Sequence, residues 1–158
     1  MAYETLLLTR EEGIAIVTLF RDKMAAFVAH LRGQIASERD PVARIRRLVR
    51  LHFEVLEDHP ELAEVVQVEL RQGQKFFRGA SAHEISAYFE LIGSVLAEGV
   101  ASGQMRRDLP VKIATKMLFG AMDQLATSWV LGKRAYRLVD AADEVATIFL
   151  KGVTRDGV

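Results

Sequence analysis

Four arginines, Arg44, Arg46, Arg47 and Arg50, fall within two helical turns, with Arg39 just ahead of them. Guanidinium forks match phosphate oxygens two at a time and repel one another unless an anion stands near. The run therefore has two readings, a positive patch for phosphates or a solvated helix face, and the second is what such charge runs usually are. A second basic group, Lys75, Arg78, Arg106 and Arg107, falls in two linkers, where surface charge is the ordinary role. The segment Glu69-Leu70-Arg71-Gln72 is different. Its helical period sets Glu69 or Arg71 near an inner face lined by Val65, Val66 and Leu70, and a buried charge needs a partner. That partner is either an opposite charge holding two helices together or a ligand inside a cavity.

Catalytic and metal chemistries find little support. None of His30, His52, His59 and His83 has a glutamate three residues before it, as a carboxylate-bridged metal pair in a helical bundle requires. His83-Glu84 opens like a zinc-protease motif, but no second histidine follows on the same helical face. Nucleophile-elbow, P-loop and dinucleotide glycine patterns are absent from the sequence. An enzyme is not expected, nor a metal or cofactor. Met24, Met105, Met117 and Met122, with Phe76, Phe77, Phe89, Phe119 and Trp129, suit core filling, and equally the lining of an adaptable apolar pocket between helices.

The elements that position these residues are helical. The stretch Pro110 to Leu131 organises the chain, because it is apolar on more than one face. Val111, Ala114, Leu118, Ala121 or Met122, Leu125 and Trp129 form one stripe, and Ile113, Met117, Gly120 and Gln124 a second. One stripe suits an internal core; the other, with small Gly120 and Ala121 beside it, suits a close helix partner. A long helix is predicted from Arg10 to Ile35, opened by a Thr9–Glu12 capping box. Asp40 and Pro41 start a second helix that runs to Asp58 with Val42, Ile45, Leu48, Val49, His52, Phe53 and Leu56 inward. Pro60 opens a third that ends near Gly73, and Gln74 to Gly79 is a linker. A fourth runs from Ser81 or Ala82 to Val100, with Gly103 as its stop. Met105 to Leu109 reads as a basic loop, with Asp108 and Pro110 as start signals for the central helix and Gly132 closing it. The last helix spans Leu138 to Val153, with Leu138, Ala142, Val145 or Ala146, Phe149 and Val153 on one face and Val139, Ile148 and Leu150 flanking. Six helices with short joints make an all-α bundle.

Bulk properties agree. The 158 residues are half hydrophobic, enough for one core. Twenty-one basic residues balance twenty-one acidic ones, so no global positive field draws in nucleic acid. With no cysteine, disulfides and thiolate chemistry are excluded, and a cytoplasmic setting is the default. No apolar run reaches the roughly 20 residues of a membrane span, and the first residues lack the basic region of a signal peptide.

Four segments carry a family resemblance: LFRDKM (Leu19 to Met24), HFEVLEDHPELAEVVQVELRQ (His52 to Gln72), LAEGVASGQMRRDL (Leu96 to Leu109) and MLFGAMDQLATSWVL (Met117 to Leu131). From about Leu19 to Val153 the chain resembles the carboxy-terminal regulatory domain of TetR-type transcriptional regulators, and within them the fatty-acid-degradation repressors called FadR. VELRQ and FGAMDQLATSWV are its most specific parts. The resemblance implies a homodimer in which the last two long helices form a four-helix interface through Ile113, Met117, Gly120, Gln124, Val145 and Phe149. It also implies a long-chain acyl-CoA effector in a cavity lined by Arg71, Gln72, Phe89, Phe119, Met122 and Trp129, with phosphates near Arg44, Arg47, Arg78 and Arg106. Regulators of this type begin with a helix-turn-helix region, and residues 1 to 9 resemble only the end of one, so the chain alone is not expected to bind an operator. Residues 10 to 156 would then be the ligand-binding and dimerisation domain. The competing expectation is a helical dimer module without an effector.

Overall fold

The computed structural model describes residues 10–64, 67 and 82–155, with side chains from Lys23 onward except those of 62 and 82–84. The helices are α1 (Arg10–Ile35), α2 (Pro41–Asp58), the single turn α3 (Pro60–Glu64), α4 (Ala82–Ala101), α5 (Val111–Leu131) and α6 (Ala142–Val153), with a 3-10 turn at Leu138–Ala141. Among the described residues the architecture is all-helical, with five helices longer than a turn rather than six. The third predicted helix is described only over its first turn. The last splits in two, because the chain enters through the tighter 3-10 turn and leaves α6 twelve residues long. The only strand-like pairing described is one antiparallel bridge between Met105 and Thr154.

Helix starts follow the side-chain chemistry in α2 and depart from it in α5. The Asp40 carboxylate accepts from the backbone N–H groups of Val42 and Ala43, both at 3.2 Å, and Pro41 holds the first helical position. At α5, Pro110 stands at the N-cap rather than inside the helix and only its carbonyl serves, accepting from Ile113 and Ala114. Asp108, expected as a start signal, instead pairs with Arg106 at 3.6 Å.

The hub of the bundle is α2, not α5. It touches α1, α3, α4, α5, α6 and the 3-10 turn, and lies most extensively against α6. Pro41, Ile45, Leu48, Val49, Leu51, His52 and Phe53 are all buried on it. Its arginines radiate outward to fix neighbours: Arg44 pairs with Glu98 of α4, Arg50 with Asp143 of α6 at 2.9 Å, and Arg46 donates to the Thr147 hydroxyl of α6 at 2.9 Å. On α6 the inward face is Ala142, Ala146, Leu150 and Val153. Leu150, expected on a flank, is core, and Val145 and Phe149 are half-buried at the rim.

Met105, at the start of the basic loop and among the residues expected to fill the core, is fully buried. Its side chain lies over Gly99, where an added Cβ would stand 2.6 Å from Sδ, and its N–H donates to the Gly99 carbonyl at 2.9 Å. Glycine at 99 is what lets this plug seat. Gly103 ends α4 at φ +78°, the left-handed stop anticipated from the sequence.

Candidate functional site

An aromatic cluster sits where α1, α2, α4 and α5 converge. Phe27 of α1 meets His52 of α2 edge-on at 5.9 Å and Tyr88 of α4 at 5.5 Å. Phe53 packs edge-on against His52 at 5.7 Å. Tyr88 then meets Phe119 of α5 at 5.7 Å, and Phe119 meets Phe89 at 4.9 Å, both edge-on. Such geometries align ring edges with neighbouring faces, and each adds roughly 0.5–1.5 kcal/mol beyond the area buried.

The cluster holds one polar pair. His52 and Tyr88 are buried, and His52 Nδ1 lies 2.9 Å from the Tyr88 hydroxyl, their ring planes within 9°. Burial lowers the His52 pKa from 6.5 to about 4, opposed by the charge of Asp123 on α5. Burial also pushes the Tyr88 phenol well above its ordinary value. His52 is therefore a neutral imidazole at physiological pH. Its Nε2, and the Thr115 hydroxyl on α5, are buried polar atoms with no hydrogen-bond partner among the described residues. Further along α5, Thr127 Oγ1 lies 2.8 Å from Oε1 of buried Gln67 and 2.8 Å from the Asp123 carbonyl.

Of the residues expected to line a cavity, the structure brings together Phe89 and Phe119. Met122 is buried in the core on the same helix. Trp129, ten residues beyond Phe119, lies about 15 Å further along α5 at 1.5 Å per residue. Its Nε1–H donates to the Tyr136 carbonyl at 2.7 Å, and the Arg134 guanidinium stands 5.9 Å from its ring centre. Arg71, Gln72 and Arg78 lie outside the described residues. Of the phosphate candidates, Arg44 pairs with Glu98, Arg47 with Glu54 at 3.9 Å, and Arg106 with Asp108, so each of these guanidinium groups has an acid beside it. His52, Tyr88 and Phe27 were not singled out from the sequence. A histidine on the apolar face Leu48-Val49-His52-Phe53 was the available signal.

A second feature is an apolar groove of about 530 Å³ on the outer side of α5 and α6, lined by Ile113, Met117, Ala121, Gln124, Val145, Ile148 and Phe149 among others. Ile113, Met117 and Ile148 are 58%, 64% and 71% exposed. Gly120 lies on the same face, and an added Cβ there would meet nothing within 4 Å. Five of the six residues expected at a dimer interface, all but Gly120, thus line this groove. Among the described residues no group of three or more histidine, aspartate or glutamate side chains is placed to hold a metal, and no helix is long and apolar enough to cross a membrane.

Comparison with known proteins gives the context. The family model for the YsiA-like protein C-terminal region, a TetR C-terminal family, matches residues 20–152. The fatty acid metabolism regulator protein of Bacillus subtilis is 28% identical over 138 residues, covering 87% of this chain and 71% of the relative. The solved structure of fatty acid degradation regulator FadR from Bacillus halodurans superposes with a TM-score of 0.83 at 31% identity, over 87% of this chain and 71% of that one. FadR from Bacillus subtilis, solved in complex with stearoyl-CoA, superposes with a TM-score of 0.82 at 29% identity, over 86% of this chain and 73% of that one.

Proposed function

The chain belongs to the TetR-type C-terminal family of YsiA-like and FadR-like regulators, a regulatory ligand-binding domain and not an enzyme, and on that premise we propose that it senses a long-chain fatty acyl-CoA as a homodimer. The observation that carries the effector reading is the aromatic interior at the meeting of α1, α2, α4 and α5, in a fold shared with a regulator solved with stearoyl-CoA. An apolar site with very few polar groups suits an alkyl chain. Phe89 and Phe119 would flank that chain, with Met122 behind them. Arg71 and Gln72 remain the proposed polar anchors. A CoA phosphate near Arg44, Arg47 or Arg106 would compete with Glu98, Glu54 or Asp108, so those contacts would add orientation more than affinity. Residues 10–156 act as one ligand-binding and dimerisation unit, in a cytoplasmic setting.

The readout runs through α1. Phe27 is the α1 side chain that touches both His52 and Tyr88, so a ligand that displaces those rings moves α1 and shifts a two-state equilibrium by its differential affinity. The α5–α6 groove supports the homodimer, because a contiguous apolar face of this kind on a charged surface marks an interaction site.

Titration of the chain with stearoyl-CoA, followed by Trp129 emission, tests the effector reading. A saturable change at micromolar ligand or below is expected, with acetyl-CoA inert. If no acyl-CoA of any length binds while the protein sediments as a dimer, the groove alone is functional and the chain is an effector-free dimerisation module.

A further inference from the structure

Buried polar atoms in native proteins find partners, and one left without a partner is destabilising. His52 Nε2 is such an atom, on a side chain 6% exposed. Hydrogen-bond accounting fixes which proton it carries. The Tyr88 hydroxyl proton needs an acceptor, and Nδ1 at 2.9 Å is the one described for it. If Tyr88 donates to Nδ1, the neutral ring keeps its proton on Nε2, and a single orphan remains. The opposite arrangement strands both the phenolic proton and Nε2. Among the described residues the imidazole therefore holds an unpaired N–H donor, within a cluster of Phe27, Phe53 and Tyr88 rings.

We infer that His52 Nε2–H is the group that reads the acyl carbonyl of the effector, donating to the thioester oxygen, with Tyr88 as the positioning residue that fixes the ring tautomer. The inference rests on the acyl-CoA reading above. It follows from matching chemistry: an otherwise apolar alkyl chain carries its first hydrogen-bond acceptor at the thioester carbonyl, and the aromatic cluster offers a donor that lacks an acceptor. A site built to hydrogen-bond a ligand group rejects an analogue lacking it, because the site's own polar atom then stays unpaired. The neutral ring, kept so by burial, makes the bond without adding a buried charge.

The test compares stearoyl-CoA with its thioether analogue S-octadecyl-CoA, which has the same chain and nucleotide but no carbonyl oxygen. The wild-type chain is expected to bind the thioester at least about tenfold more tightly, the worth of one hydrogen bond at 1.4 kcal/mol per decade. His52→Phe, which keeps an aromatic ring in the cluster, is expected to bind both with the same affinity. His52→Gln, which retains a side-chain N–H, recovers part of the preference. Tyr88→Phe lets the proton move to Nδ1 and reduces the preference while keeping the ring packing. Nitrogen NMR of labelled histidine reads the tautomer independently, with the proton on Nε2 in the free wild-type chain. Equal wild-type binding of thioester and thioether would overturn the inference and leave the acyl-CoA reading standing. Binding of neither would overturn both. Should His52→Phe fail to fold, the Tyr88→Phe and His52→Gln affinities decide.

Discussion

At the residue scale, neutral His52 couples folding to pH. Its folded pKa of about 4 lies below its unfolded value of 6.5. Above pH 6.5 both states are neutral and no stability is lost. As pH falls from 6.5 towards 4 the unfolded chain takes up a proton that the folded chain refuses, so stability declines, and below about 4 the contribution is flat. At 1.36 kcal/mol per unit the full effect is roughly 3 kcal/mol. Chemical unfolding from pH 7 to pH 4.5 should show this decline in wild type and a shallower one in His52→Phe; parallel profiles would show that the imidazole is not buried in its neutral form. Thr115 gives a second prediction. Its hydroxyl is buried without a partner among the described residues, beside Gly93, whose added Cβ would stand 3.4 Å from it. Thr115→Val keeps the shape and removes the orphan, so stability should rise by about 1 kcal/mol, and a loss of that size would mean the hydroxyl has a partner.

At the element scale, the α5–α6 connection and the Met105 plug decide how the helices seat. Lys133 and Arg134 follow α5 at φ 56° and 57°, two consecutive side-chain-bearing residues in the left-handed region, while Gly132, expected to take the helix-closing turn, sits at φ −78°. Each such residue costs about 1–2 kcal/mol, and the turn is held by Arg134 donating to Glu64 at 2.6 Å and to the Pro60 carbonyl at 3.3 Å. Lys133→Gly should therefore raise the midpoint of thermal unfolding, whereas Gly99→Ala, which drives a Cβ into the buried Met105, should lower stability by about 1–3 kcal/mol. Helix spans were largely legible because apolar period and Asp40-Pro41 punctuation are local signals. The hub was not. α5 carries more apolar surface, but one of its stripes faces the groove, while α2 with four arginines reads as a polar helix although it buries seven residues. Arginines at the edges of that face reach to Glu98, Thr147 and Asp143, and no sequence pattern reveals partners so far away along the chain.

At the scale of the whole molecule, two surfaces of α5 divide the work: an inner one with Thr115, Phe119 and Met122, and an outer one with Ile113, Met117, Gly120 and Gln124. Phe89 and Phe119 stand out in the sequence as aromatic side chains on two helices, and the structure sets their rings edge-on 4.9 Å apart. His52 and Tyr88 were not legible, because their significance lies in a hydrogen bond between α2 and α4 and in one nitrogen left over. Gly120→Leu tests the outer surface cleanly. No described residue crowds that position, so the fold should hold or gain, since glycine is about 1 kcal/mol poorer than alanine inside a helix. A second copy approaching closely would meet the new side chain, and sedimentation should show dimer affinity weakened tenfold or more; an unchanged dimer would place the interface elsewhere. Acyl-CoA sensing is tested most directly by calorimetric titration of the full chain with stearoyl-CoA at several temperatures. One ligand per chain is expected, with an affinity in the micromolar range or tighter and a clearly negative heat-capacity change as the alkyl chain is buried, and with acetyl-CoA silent. No heat at any temperature, or stearoyl-CoA and acetyl-CoA binding alike, would contradict it.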